Sequence, residues 1–337
     1  MATLSKMITT IDSHTAGECT RLVTGGLPPL RGKDMAEKLA CISENFPQLP
    51  GYLLLEPRGH KDMFGAVLTE PCSPEADIGV IFMDNQGYEP MCGHAVIGTA
   101  TTVLETGMFP LHEPQTLVTL DTPSGLVRAY AQVREGRVQS VAFENVPSFV
   151  YQNDIILNVP DWGQLTIDIV FGGLFFVFVD AAQIGLDLTP GNAHSLANLG
   201  MRILAVANQT VKVEHPNLPH LDKIIDLRFY RQPGPNGADS RNVVILGDHM
   251  VDRSPCGTGT SAETALRHAQ GCLQVGERFT TESIIGTQFT GEVVEETTVG
   301  PYPAVIPRIT GSAYLTGFHR FVLAPDDPFP AGFCLAE

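Results

Sequence analysis

Met91-Cys92-Gly93-His94-Ala95-Val96-Ile97-Gly98 opens a stretch that runs to Gly107, and Pro255-Cys256-Gly257-Thr258-Gly259-Thr260-Ser261-Ala262 opens another, 164 residues further on, that runs to Gly271. Both place Cys-Gly ahead of a segment with helical spacing. In both, a glycine follows the cysteine by 15 residues, where a helix commonly stops in a left-handed conformation. Each stretch therefore reads as one helix with a thiol at its beginning, and the chain as two related halves.

A cysteine at a helix N-terminus faces backbone N–H groups that the helix does not use and the positive end of its dipole, which favour the thiolate. Two such ends directed at one cleft also form an anion site, with the amides of Gly93-His94 and Gly257-Thr258 placed to hold a carboxylate. A glycine after each thiol lets the backbone approach a small ligand closely. Such an arrangement suits reversible proton exchange at a carbon beside a carboxylate, one thiol serving each face. That scheme requires no cofactor. Cys92 and His94 supply only two metal ligands, without a second Cys/His cluster nearby, so no metal is expected.

The rest of the chain bounds the partners. Thirty-seven acidic against 21 basic side chains give a formal charge of -16, which repels phosphate backbones and anionic membrane surfaces, so no nucleic acid is expected. The most apolar run, Ile169 to Val179, contains Gly172 and Gly173 between Asp168 and Asp180 and is too short for a membrane span; it reads as a buried strand. Met1 to Glu18 holds no continuous apolar segment of the signal-peptide kind. Seven scattered cysteines are an odd number and not the pattern of a disulfide scaffold, which fits a reducing cytoplasm.

Short β-branched runs at Tyr52 to Leu55, Ile78 to Met83, Thr116 to Leu120, Ser140 to Phe143 and Asn242 to Leu246 predict strands. Helical spacing marks Met35 to Asn45, Ala95 to Glu105, Asn192 to Ala207 and Ser261 to Gln270. Without a regular βαβ beat the class is α+β. With 43% hydrophobic residues, 337 residues suffice for two cores. The polar turn Thr122-Pro123-Ser124-Gly125 is taken as the boundary: residues 1–126 plus about 310–337 form a first domain and 127–309 a second.

At these motifs the chain resembles the proline racemase family, which includes hydroxyproline epimerases and a branch of trans-3-hydroxyproline dehydratases. Asp12-Ser13-His14-Thr15-Ala16-Gly17-Glu18, Glu56-Pro57-Arg58-Gly59-His60, Asp62-Met63-Phe64-Gly65, Met91-Cys92-Gly93-His94, Phe171-Gly172-Gly173, Asp252-Arg253-Ser254-Pro255-Cys256-Gly257-Thr258-Gly259-Thr260 and Gly311-Ser312-Ala313 stand in the family's order. The resemblance implies a fold like diaminopimelate epimerase, with two similar domains, each a sheet wrapped around a central helix, and the site in the cleft between them. It assigns Cys92 and Cys256 as the acid and base, Gly93, His94, Gly257 and Thr258 as carboxylate contacts, and Asp252 as partner of the substrate ammonium. It further implies a homodimer.

Within the resemblance, Phe64 and Phe82 match the apolar wall around a pyrrolidine ring, which favours proline. Leu246 stands where the racemases carry another Phe, and His249 nearby is a donor that could satisfy a ring hydroxyl, so 4-hydroxyproline 2-epimerase stays open. The dehydratase branch typically has Thr in place of Cys256, which puts water elimination third and a non-catalytic amino-acid binder fourth. Asp252 can alternatively cap the turn at Ser254. His14, His60 and Asp62 read either as pins of their loops or as support for the site, and Phe171, Phe175 and Phe176 as core.

Overall fold

In this computed structural model, which describes residues 7–219, 221–247, 249–324 and 327–335, the chain divides into two compact units, Met1–Phe143 with Gly311–Glu337, and Glu144–Thr310. Residues 1–6 of the signal-peptide reading lie outside the described residues.

The first unit runs β1 (Met7–Thr15), β2 (Glu18–Gly25), α1 (Met35–Asn45), α2 (Leu49–Leu54), β3 (Phe64–Thr69), β4 (Ile78–Met83), β5 (Tyr88–Glu89), α3 (Gly93–Glu105), β6 (Gln115–Thr122), β7 (Gly125–Arg134) and β8 (Arg137–Glu144). The second holds β9 (Ser148–Val159), β10 (Gly163–Phe171), β11 (Phe175–Asp180), α4 (Ala193–Thr210), β12 (Ile224–Arg231), β13 (Ser240–Leu246), β14 (Met250–Val251), α5 (Gly257–Ala269), β15 (Arg278–Glu282), β16 (Gln288–Val299) and β17 (Tyr302–Gly311). The chain then re-enters the first unit as β18 (Ala313–Val322). Thr122 to Gly125 forms the hairpin turn of β6 and β7 inside the first unit.

Strand pairing follows from the crossovers. β2 pairs parallel with β3 across α1 and α2, and β4 parallel with β6 across α3; the antiparallel pairs β1–β2, β3–β4, β4–β5 and β6–β7 complete the unit. In the second unit β11 pairs parallel with β12 across α4, and β13 parallel with β15 across α5, with β10–β11, β12–β13, β13–β14 and β15–β16 antiparallel. Parallel neighbours need such long connections, which is why each helix follows a strand.

Alternation along the strands splits each sheet into two apolar faces. In the second unit Val177, Val179, Val243 and Ile245 pack with Leu196, Ile203 and Ala207 of α4, while Phe176, Phe178 and Val244 pack with Ala262, Ala265 and Leu266 of α5. In the first, Val67, Ile81 and Met83 face the cluster of Met35, Ile42 and Leu53 from α1 and α2. That leaves Phe64, Val80 and Phe82 on the opposite face, with α3. Nearly every residue of α3 and α5 is buried, so both are central helices enclosed by their own sheets.

Two sequence readings are corrected. Tyr52 to Leu55 is not a strand: Leu49 to Leu54 form α2, whose first turn accepts Pro50 because proline's fixed φ suits a helix start. A run this short carries too few positions to separate the two periods. Ile169 to Val179 is not one strand but the hairpin of β10 and β11, folded back at Gly172 and Gly173, where Gly173 takes φ +109°.

Candidate active site

Cys92 is the N-cap of α3, in extended conformation, and its carbonyl accepts the first helical bond from Val96 at 3.0 Å. At the other end the Thr106 C-cap is followed by Gly107 at φ +73°. The Cys92 sulfur lies 3.4 Å from Nδ1 of His94, which is buried. The His94 carbonyl accepts from Thr15 Oγ1 at 2.8 Å, which ties the first turn of α3 to β1. The His94 ring meets Phe64 edge-on with centroids 4.7 Å apart, and Phe82, wholly buried, shares the Phe64 face. The first unit thus brings Cys92, Gly93, His94, Phe64 and Phe82 together around one helix start.

Cys256 is the N-cap of α5, and Gly271 ends that helix at φ +74° after the Gln270 C-cap. Cys256 itself adopts φ +65°, a conformation most side chains avoid. Several bonds hold it there. Asp252 Oδ1 accepts from the Ser254 amide at 2.8 Å, Ser254 Oγ accepts from the Cys256 amide at 3.0 Å, and the Cys256 carbonyl accepts from the Thr260 amide at 2.9 Å. The sulfur accepts from the Gly259 amide at 3.3 Å and sits 3.5 Å from Thr258 Oγ1. Leu246 packs against the cluster that contains Cys256. The second unit thus brings Cys256, Gly257, Thr258, Asp252 and Leu246 together.

Residues not singled out from the sequence support this loop. Arg228, fully buried, donates to the Pro255 carbonyl at 2.8 Å, to Thr281 Oγ1 at 3.0 Å and to the Glu263 carboxylate. Burial alone would raise Glu263, but Arg228 and Arg267 outweigh it and hold its carboxyl below the usual range. Asn145 Nδ2 bonds the Gly172 carbonyl and Ser261 Oγ, both at 2.9 Å. A Cβ at Gly172 would lie 2.3 Å from the Thr258 carbonyl oxygen and 2.5 Å from the Ala262 nitrogen, so only glycine lets this turn touch α5.

The expectation that the helix end favours a Cys256 thiolate is overturned. Burial pushes the Cys256 thiol well above the usual thiol range, and Asp252 and Asp226 push it further; the bonds from Thr258 and the Gly259 amide oppose this without offsetting it. Desolvation and two carboxylates outweigh the helix end here. Cys256 is held as the neutral thiol, the form that donates a proton.

The remaining candidates stand in or beside turns, or in the core. His14 Nδ1 accepts from the Gly17 amide at 3.2 Å and His60 Nδ1 from the Asp62 amide at 3.3 Å, each closing its own loop. His249 is exposed on the β13–β14 turn, at φ +58°. Phe171, Phe175 and Phe176 are core. Among the described residues no cluster of three His, Cys, Asp or Glu is placed to hold a metal, and no helix is long and apolar enough to cross a membrane.

Each unit thus sets one thiol at the N-cap of its own central helix, among backbone amides and apolar side chains. The family model for proline racemase matches residues 10–334, and the chain belongs to that family. It is 48% identical to a proline racemase of Clostridioides difficile over 98% of this chain and 99% of that one. It is also 46% identical to a proline racemase of Acetoanaerobium sticklandii, covering 98% of each. A crystal structure of a hydroxyproline epimerase from Agrobacterium vitis with bound trans-4-hydroxy-L-proline has a TM-score of 0.89 at 37% identity, covering 98% of this chain and 96% of that one. The mixed α and β architecture is thus the proline racemase fold.

Proposed function

We propose that this enzyme inverts the α-carbon of proline without a cofactor, Cys92 and Cys256 exchanging protons on opposite faces of the substrate. The observation that carries this reading is the pair of cysteine N-caps on α3 and α5 in a chain close to half identical to proline racemases. One thiolate removes the α-proton while the opposite thiol delivers another, and the roles reverse in the return direction. Amides of Gly93, His94, Gly257 and Thr258 receive the substrate carboxylate and the charge that grows beside it. Phe64, Phe82 and Leu246 line the ring.

Asp252 receives the substrate ammonium. Its carboxylate is one of the groups raising Cys256, so a cation placed against it offsets that effect and eases thiolate formation when substrate is bound. Retention of a second thiol at Cys256 disfavours water elimination. The shared order of strand pairing from β1 to β7 and from β10 to β16 supports two similar, diaminopimelate-epimerase-like domains. A cytoplasmic homodimer completes the reading.

The test is a proton NMR time course of the reduced protein in heavy water, with L-proline and separately with trans-4-hydroxy-L-proline. Loss of the Cα proton together with optical rotation is expected with proline. Exchange only with hydroxyproline would move the reading to a 2-epimerase, and silence with both would end it.

A further inference from the structure

One acidic side chain beside the ring wall has no part in the scheme above. In the β4–β5 ladder Phe82 lies opposite Glu89 and Met83 opposite Tyr88, and opposed residues share a face. Met83 and Tyr88 belong to the cluster beneath α1 and α2, and the Tyr88 hydroxyl donates to the Phe46 carbonyl at 2.8 Å. Glu89 is therefore on the other face with Phe82, with Ala66 opposite Phe82 in β3, and with Phe64, whose ring meets His94. It stands three residues ahead of Cys92. Among the described residues no donor or cation is set against its part-buried carboxyl; the neighbour that influences it is Asp84, of like charge.

A carboxyl left without a partner in an aromatic wall is costly unless something else answers it. We propose that Glu89 is a specificity-determining residue, its carboxyl hydrogen-bonding a hydroxyl carried on the substrate ring, so that the site takes ring-hydroxylated prolines beside proline itself. The inference rests on the racemase reading of the site and deepens it. A substrate carboxylate would be repelled at this place, and the ammonium already has Asp252. Burial, and then Asp84, push Glu89 up to about 7, so that acid and carboxylate are both present near neutrality. A hydroxyl can donate to one and accept from the other.

The test measures Cα-proton exchange of full-length wild type, Glu89→Leu and Glu89→Gln with L-proline and with trans-4-hydroxy-L-proline. The readout is the ratio of the two kcat/KM values within each variant, which is independent of the fraction folded. Glu89→Leu is expected to lower the hydroxyproline-to-proline ratio about tenfold or more, and Glu89→Gln, which keeps a donor and an acceptor, to restore most of it. An unchanged ratio in the leucine variant, or a parallel loss of both substrates, overturns the role of Glu89. Absence of proline exchange in wild type strikes the racemase reading instead.

Discussion

The Gly259 amide donates to the Cys256 sulfur across 3.3 Å, while Cys256 holds a left-handed backbone at φ +65°. The thiol is fixed by a chain of bonds through Ser254 and Asp252 rather than by packing alone. Cys256→Ser keeps those bonds but replaces a thiol by a hydroxyl that barely ionises. Turnover is expected to fall at least about 100-fold with a near-native unfolding midpoint. Deuterium uptake at Cα measures this, and substantial residual exchange would count against the two-thiol mechanism.

The raised Cys256 thiol also sets a pH dependence. Above the ordinary thiol value of 9.0, the unfolded chain sheds a proton that the folded chain keeps, so this residue's contribution to stability declines as pH rises past that point. The unfolding midpoint of wild type should drop more steeply on the alkaline side than that of Cys256→Ser. Identical slopes would show that the thiol is not shifted. At neutral pH iodoacetamide should label exposed Cys272 and Cys334 well before Cys256, as read by mass spectrometry.

Removing Arg228 leaves the buried Glu263 carboxylate with Arg267 as its remaining guanidinium and the Pro255 carbonyl with Thr260 Oγ1 as its donor. Breaking a buried pair from one side costs about 3–5 kcal/mol. Arg228→Ala should lose that much in denaturant unfolding and lose exchange activity as well. A change below 1 kcal/mol on the same scale would show that the network carries little.

Gly172→Ala drives a Cβ into the Thr258 carbonyl and the Ala262 nitrogen, both main-chain atoms that cannot swing aside. A destabilisation of about 1–3 kcal/mol is expected, with activity reduced because the first turn of α5 must shift. The same substitution at Gly98 meets the Ser13, Thr15 and Thr20 side-chain oxygens first, at 3.1–3.2 Å, and should be milder. Thermal melts of the two variants decide the order.

Glu89 supplies a second linkage. Unfolded it ionises near 4.5, folded near 7, so the folded state loses stability relative to the unfolded one as pH rises across that window. Glu89→Gln removes the loss: it should gain about 1–3 kcal/mol over wild type at pH 8 and nothing at pH 4. An equal difference at both pH values would place the effect in packing.

What local pattern controls was legible in the sequence. The caps at Cys92 and Cys256 and the stops at Gly107 and Gly271 depend on residues within one helix, and the structure places them as read. Short apolar runs were not legible: α2 and the β10–β11 hairpin took their form from Pro50 and from the contact of Gly172 with α5. The ionisation of Cys256 was not legible either, because Asp226 approaches it from another strand and burial is a property of the folded unit. Arg228, Asn145 and Glu89 escaped for the same reason, each acquiring its meaning from a residue or strand distant in sequence.

The register that sets β1 against β18, with Ile11 opposite Phe318, bears on the order in which the protein is made. A ribosome delivers β1 before the central unit and its partner β18 after it, whereas Glu144–Thr310 is continuous. The amino-terminal unit must therefore wait with an open edge while the central one closes, the reverse of the usual vectorial sequence. Stalled nascent chains ending short of β18 should show protease resistance confined to the central unit, and a chain long enough to expose β18 should gain it at the amino terminus.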